Sequence, residues 1–162
     1  HCPASNMALG AGIAPVPKML GKGINVALGT DGAASGGSLD MWKEMRMASL
    51  LHKLNDPTAI PASNVLEMAT VNGARALGIH AGALMPGCLA DIIVVDIKKP
   101  HLTSPNLVSA LVNSASGCDV KTTIVDGQIL MEEHEVKVLD EKKIIEDARN
   151  TILNITEYSS NY

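Results

Sequence analysis

Apolar residues change their spacing several times along the chain, and each change marks an element. Residues 1–23 run from a Pro/Ser/Asn turn into a Met- and Leu-bearing helical stretch at 16–20, closed by Gly21 and Gly23. Residues 24–29 (INVALG) are apolar except for Asn25. Such a run between glycines predicts a strand covered on both faces, as in a parallel sheet. Thr30-Asp31-Gly32 and a Gly/Ser-rich loop follow. Ser38 is placed to cap the next helix, 39–54, whose inner face carries Met41, Met45, Ala48 and Leu51. Asn55-Asp56-Pro57 stops that helix, and Pro61 opens a segment with two shorter ones, 63–69 and 70–77. Thr70 is the cap of the second and Gly78 its stop.

Beyond Gly82 the pattern turns to β. Residues 92–95 are apolar and β-branched, helical spacing returns at 106–116, and two apolar runs at 122–125 and 128–131 flank Asp126-Gly127. Asp-Gly in that setting predicts a hairpin, because both turn positions must accept positive φ. A charged stretch at 132–137 leads to an amphipathic helix at 140–156, with Ile144, Ile145, Ala148, Ile152 and Ile155 on one side. The chain thus divides into an α/β portion at 1–80, a small β portion at 81–138 and a C-terminal helix and tail at 139–162.

Composition narrows the function classes. A chain of 162 residues can hide about two-thirds of its unfolded surface, but a complete eight-stranded barrel takes about 250 residues. Thirteen basic and seventeen acidic residues, unclustered, give a formal charge of −4 and no electrostatic footprint for nucleic acid. One Trp, two Tyr and no Phe deny it a base-stacking platform. No apolar run reaches the roughly 18 residues that span a bilayer, and no signal-peptide pattern opens the chain. Cys2, Cys88 and Cys118 are odd in number and form no CxxC pair, which predicts reduced thiols and a soluble, cytoplasmic protein.

Candidate chemistry centres on Asp31. It sits where the strand at 24–29 ends, and in parallel α/β folds ligand sites lie at that end of the strands. A carboxylate there binds a cation, acts as a base, or simply makes a turn, and spacing alone leaves these open. His52 falls on a helix as a structural residue, while His80, His101 and His134 show no HxH or HxxxH spacing. Gly10-Ala11-Gly12 and Gly21-Lys22-Gly23 fail the dinucleotide and P-loop patterns. Ser5 and Asn6 are expected to fix their loop through bonds to backbone.

Longer motifs change the weight of these readings. His1-Cys2-Pro3-Ala4-Ser5-Asn6, Gly12-Ile13-Ala14-Pro15-Val16-Pro17 and 25–35 (NVALGTDGAAS) come first. Glu44-Met45-Arg46, 69–78 (ATVNGARALG), Gly82-Ala83-Leu84, Pro86-Gly87, Ala90-Asp91 and Val125-Asp126-Gly127 follow. In this order they resemble the C-terminal part of the methylthioadenosine/S-adenosylhomocysteine deaminase family. That family stands in the amidohydrolase superfamily with triazine hydrolases and guanine deaminases. The resemblance reaches to about residue 136.

It implies the C-terminal part of a TIM (β/α)8 barrel, with His1 ending strand seven and 24–29 as strand eight. Part of a small β-sandwich domain and a C-terminal helix follow. It also implies metal-dependent hydrolytic deamination of S-adenosylhomocysteine or methylthioadenosine, a small-molecule nucleoside substrate. One divalent metal ion, zinc, would be bound by Asp31 together with histidines from segments that this chain lacks. Asp31 then takes a proton from water that the metal acidifies. Asp31, Ser35 and His1 are the substrate-binding candidates. Without its partner ligands the chain is expected to be inactive alone and to associate, as a homo-oligomer or with an N-terminal part. A guanine or triazine substrate, and a non-catalytic scaffold piece, are the competing readings.

Overall fold

Proline has no amide hydrogen to leave unpaired and suits the first turn of a helix. Helix α1 (Pro3–Ala8) accordingly begins at Pro3, where the sequence suggests only a turn. The computed structural model describes residues 1–54 and 56–160, the last four of these by backbone alone, so Asn55 of the predicted helix break lies outside the described residues. Helix α2 (Val16–Gly21) matches the predicted helical stretch, and the short α3 (Ala33–Gly36) lies in the Gly/Ser-rich loop. Helix α4 (Met41–Leu51) starts two residues later than expected. Its cap is Asp40, whose carboxylate accepts the amides of Trp42 at 2.9 Å and Lys43 at 3.4 Å. Ser38 Oγ is buried with no hydrogen-bond partner among the described residues.

Helices α5 (Ala62–Ala69) and α6 (Val71–Leu77) form as expected, and Gly78 ends α6 at φ +69°. Thr70 stands between them, but its hydroxyl donates back to Leu66 O at 2.7 Å and caps nothing. Glycine is required at 82. A Cβ there would lie 2.8 Å from Val71 Cα and 2.9 Å from Thr70 backbone, at φ +83°.

Residues 24–29 are extended, yet they lie in no strand ladder. One parallel rung is nevertheless present: the His1 amine donates to Ala27 O at 2.7 Å and Gly29 N donates to His1 O at 3.0 Å. Elsewhere the segment bonds to helices. Leu28 N donates to Met68 O, and Asn72 Nδ2 to Val26 O. Val26 and Leu28 are buried while Ile24 and Asn25 are exposed, so burial alternates and does not cover both faces. Val26 and Leu28 join Val16, Met45, Ala48, Ile60 and Met68 in one core.

A second element set carries the sheet. Strands β1 (Ile92–Val95), β2 (Val120–Val125), β3 (Gln128–Glu132) and β4 (Glu135–Val136) pair antiparallel in that order. Asp126-Gly127 turns between β2 and β3 at φ +48° and +77°, as its sequence requires. The charged stretch hides a further hairpin. Glu133 and His134 turn at φ +46° and +66° and bring Val136 opposite Met131. Helix α7 (Leu107–Ser114) packs on α4, held by Ser49 Oγ donating to Asn113 Oδ1 at 3.0 Å. Arg46 Nη2 adds a 2.8 Å bond to Ala115 O. Helix α8 (Glu141–Ser160) follows the sheet, and its residues 141–156 are exposed.

Asp119 secures the entry to β2. Its carboxylate is 2% exposed and accepts bonds from His101 Nε2, Ser116 N and Ser116 Oγ, with Lys99 Nζ at 3.2 Å. Burial alone pushes its pKa up, but the bonds from His101, Ser116 and Lys99 outweigh it and hold the group far below the usual carboxylate range. A depressed folded-state pKa contributes stability above the unfolded value of about 4 and loses it as pH falls. The melting temperature should therefore drop on acidification below about pH 4. Asp119→Asn should flatten that drop while costing about 1–3 kcal/mol at neutral pH; an unchanged acid profile would contradict this role.

Candidate active site

Asp31 follows the extended segment directly, and its backbone turns at φ +57°. Aspartate tolerates that left-handed conformation better than most residues. The turn exposes the side chain to solvent on this chain, beside α1 and α3. Ser5 Oγ, from a residue 2% exposed, donates to Asp31 Oδ2 at 2.6 Å. Gly32 N donates to Oδ1, also at 2.6 Å. The Ser5 bond lowers the Asp31 pKa most, the Gly32 amide next; slight desolvation opposes them, and a bond from Ser35 adds to them. The carboxylate is held in its ionised form.

The parallel rung explains why residues 26 positions apart meet. His1 beside Leu28 sets the two chain segments in register, so the continuations to Ser5 and Asp31 converge at the same end. Gly36 tightens the contact, because a Cβ there would come 3.0 Å from Thr30 O and 3.8 Å from Ala4 Cβ. Lys43 Nζ donates to Gly36 O at 2.6 Å and ties this loop to α4.

Of the other candidates, Ser35 is half-buried and lies at the carboxylate. His1 is employed differently: its backbone makes the rung, and its ring lies 5.9 Å from the His52 ring, with both nitrogens buried and without a hydrogen-bond partner among the described residues. Burial lowers the His52 pKa. His80 Nδ1 bonds to Gly87 O at 2.9 Å, and His101 serves Asp119. Cys2, Cys88 and Cys118 are free thiols.

Ser5 is the residue that sequence reasoning assigned elsewhere. Its hydroxyl bonds a side chain, not the local backbone, and nothing in the spacing of Ser5 and Asp31 announces that pairing. An ionised carboxylate has about four lone-pair positions; Ser5 and Gly32 take one on each oxygen, and Ser35 adds a further bond. The exposed side of the Asp31 carboxylate still has lone-pair capacity that fits a cation. One carboxylate is not a complete site, and among the described residues no group of three or more His, Cys, Asp or Glu could hold a metal.

The chain matches the amidohydrolase family over residues 1–130. It is 60% identical over 152 residues to a 5′-deoxyadenosine deaminase of Methanosarcina acetivorans, covering 92% of this chain and 35% of that protein. A 5-methylthioadenosine/S-adenosylhomocysteine deaminase of Dictyoglomus thermophilum is 50% identical, with 98% of this chain and 38% of that protein covered. The chain therefore spans little more than a third of the length of the curated relatives it matches.

Among solved structures, an adenosine deaminase from Xanthomonas campestris with bound zinc superposes with a TM-score of 0.93 at 33% identity, covering 97% of this chain and 37% of that one. A zinc-complexed atrazine chlorohydrolase from Arthrobacter aurescens gives 0.83 at 28% identity, covering 93% and 34%. The fold is thus a portion of a TIM-barrel amidohydrolase.

The site geometry makes a direct expectation for Ser5→Ala. Loss of the strongest bond to the carboxylate should move the Asp31 pKa up towards the ordinary value, read by carboxyl carbon NMR titration of metal-free protein. An unmoved pKa would show that the 2.6 Å contact does not hold the charge.

Proposed function

Because the chain belongs to the amidohydrolase family, we propose that the protein containing it hydrolytically deaminates a 5′-modified adenosine. Identities of 50–60% to relatives named for 5′-deoxyadenosine or for methylthioadenosine and S-adenosylhomocysteine support that substrate class over a triazine or guanine ring. The carrying observation within the chain is the exposed, ionised Asp31 carboxylate gripped from below by a buried serine. Asp31 would hold a single divalent metal, zinc, together with ligands from outside this chain. When bound, such a metal acts as a Lewis acid and lowers the pKa of water towards 7.

Asp31 has a further part in this reading. Hydrolysis needs a group that accepts a proton from the attacking water and passes it to the departing amine, and a carboxylate within hydrogen-bond reach does both. Ser5 and the Gly32 amide keep the Asp31 oxygens aimed while the proton moves. Ser35, half-buried beside them, would meet the substrate's sugar. His1 contributes to the site through backbone registry, with a substrate contact as the weaker assignment.

The remaining assignments belong to the same proposal. The proposed divisions at residues 80 and 138 set the barrel helices apart from a sheet-bearing segment, whose α7 packs back on α4, and from the closing helix. A groove of about 550 Å³ between α6 and β1–β2, lined by Ala74, Leu77, Ile79 and Leu84, supports association with the part of the protein that the relatives carry and this chain does not. The three free cysteines support a cytoplasmic address, and among the described residues no helix is long and apolar enough to cross a membrane.

In the full-length protein, ammonia release from 5′-deoxyadenosine, methylthioadenosine and S-adenosylhomocysteine should exceed that from guanine or atrazine. Asp31→Ala should lower turnover by about 10²- to 10⁴-fold and reduce bound zinc. Retained turnover would remove Asp31 from the chemistry, and no ammonia from any compound would favour a scaffold role.

A further inference from the structure

Glu44 is the most deeply buried ionisable residue of α4, fully hidden although it lies in the first turn of an amphipathic helix. Burying a carboxylate costs free energy unless its oxygens are bonded. Only one of them is. Oε2 accepts the Ala4 amide at 3.0 Å, while Oε1 is buried with no hydrogen-bond partner among the described residues. A methionine of similar volume would avoid that cost, so core packing does not explain the choice.

The donor of the bond does explain it. Helix α1 is six residues long, and Cys2 at its start supplies no side-chain cap. So short a helix has few internal bonds with which to hold its own orientation. Glu44 supplies the missing acceptor from another helix. The next residue after Ala4 is Ser5. Any shift of the Ala4 peptide moves the Ser5 hydroxyl, which sits 2.6 Å from Asp31 Oδ2.

We propose that Glu44 is a positioning residue for the Asp31 carboxylate, acting through α1 and Ser5. The inference rests on the reading of Asp31 as a metal ligand. Glu44 touches no reacting atom; it fixes the platform from which Ser5 aims Asp31.

A mutant cycle in the zinc-loaded full-length protein tests this. Zinc affinity is measured by chelator competition, kcat and KM by ammonia release, and folding by thermal melting. Groups that orient a metal ligand typically contribute about 10- to 100-fold in affinity or activity, so Glu44→Met and Ser5→Ala should each weaken zinc and lower kcat by about 10-fold with KM little changed. Glu44→Met keeps the volume and should stay folded. Glu44→Gln, which retains an acceptor for the Ala4 amide, should recover most of the loss. The double variant Glu44→Met/Ser5→Ala should be no worse than Ser5→Ala alone, because both act along one path.

Losses that multiply in the double variant, or wild-type zinc affinity in folded Glu44→Met, would overturn the positioning role. The Asp31→Ala control separates the two levels. If Asp31→Ala keeps its zinc, the metal-ligand reading fails and this proposal with it. If Asp31→Ala loses zinc but the cycle is additive, the assignment of Glu44 alone is wrong.

Discussion

Convergence of two chain segments through His1 and Leu28 is the constraint from which the site follows. One amine-to-carbonyl bond of 2.7 Å and one amide-to-carbonyl bond of 3.0 Å set the opening residues alongside the extended segment in parallel register. Everything near Asp31 inherits that register. Four residues beyond His1 lies Ser5, and three beyond Leu28 lies Asp31. Slipping the rung would separate the serine from the carboxylate and leave a buried hydroxyl without its acceptor, which is costly.

Packing makes the register stiff. Val26 and Leu28 anchor one face of the extended segment in a core shared with α2, α4 and α5, while Asn25 Nδ2 donates to Asn72 O of α6 and Asn72 Nδ2 donates back to Val26 O. On the other side, Glu44 ties α1 to α4, and Gly36 lets α3 approach α1 closely. The exposed carboxylate thus stands on a buried base, the kind of support that a preorganised site needs.

Much of this was written locally in the sequence. Asp126-Gly127 specifies a hairpin by backbone conformation alone, Gly78 ends a helix, and the periodic stretch at Met41–Leu51 becomes α4. Asp31 stood out as a candidate because it follows an apolar run, and the surrounding motifs carried the chemistry proposed for it. Tertiary relations were not legible. Asp40 displaced Ser38 as a cap by one geometric choice of acceptor. Positive φ at Glu133 and His134, residues with no strong turn preference, made a hairpin from a charged stretch. Full burial of 24–29 failed because the chain supplies a neighbour along one rung only, and the pairing of Ser5 with Asp31 depends on folding 26 residues back on themselves.

Family membership, the aimed carboxylate and the relatives' names support the proposal of hydrolytic chemistry at a metal. The most direct measurement is the anomalous-scattering map of a crystal of the full-length protein, recorded at the zinc absorption edge. The account predicts a peak with an Asp31 carboxylate oxygen about 2.0–2.2 Å away, the ordinary zinc–carboxylate distance, and Ser5 still bonded to that side chain. A zinc peak elsewhere, with Asp31 coordinating nothing, would contradict it.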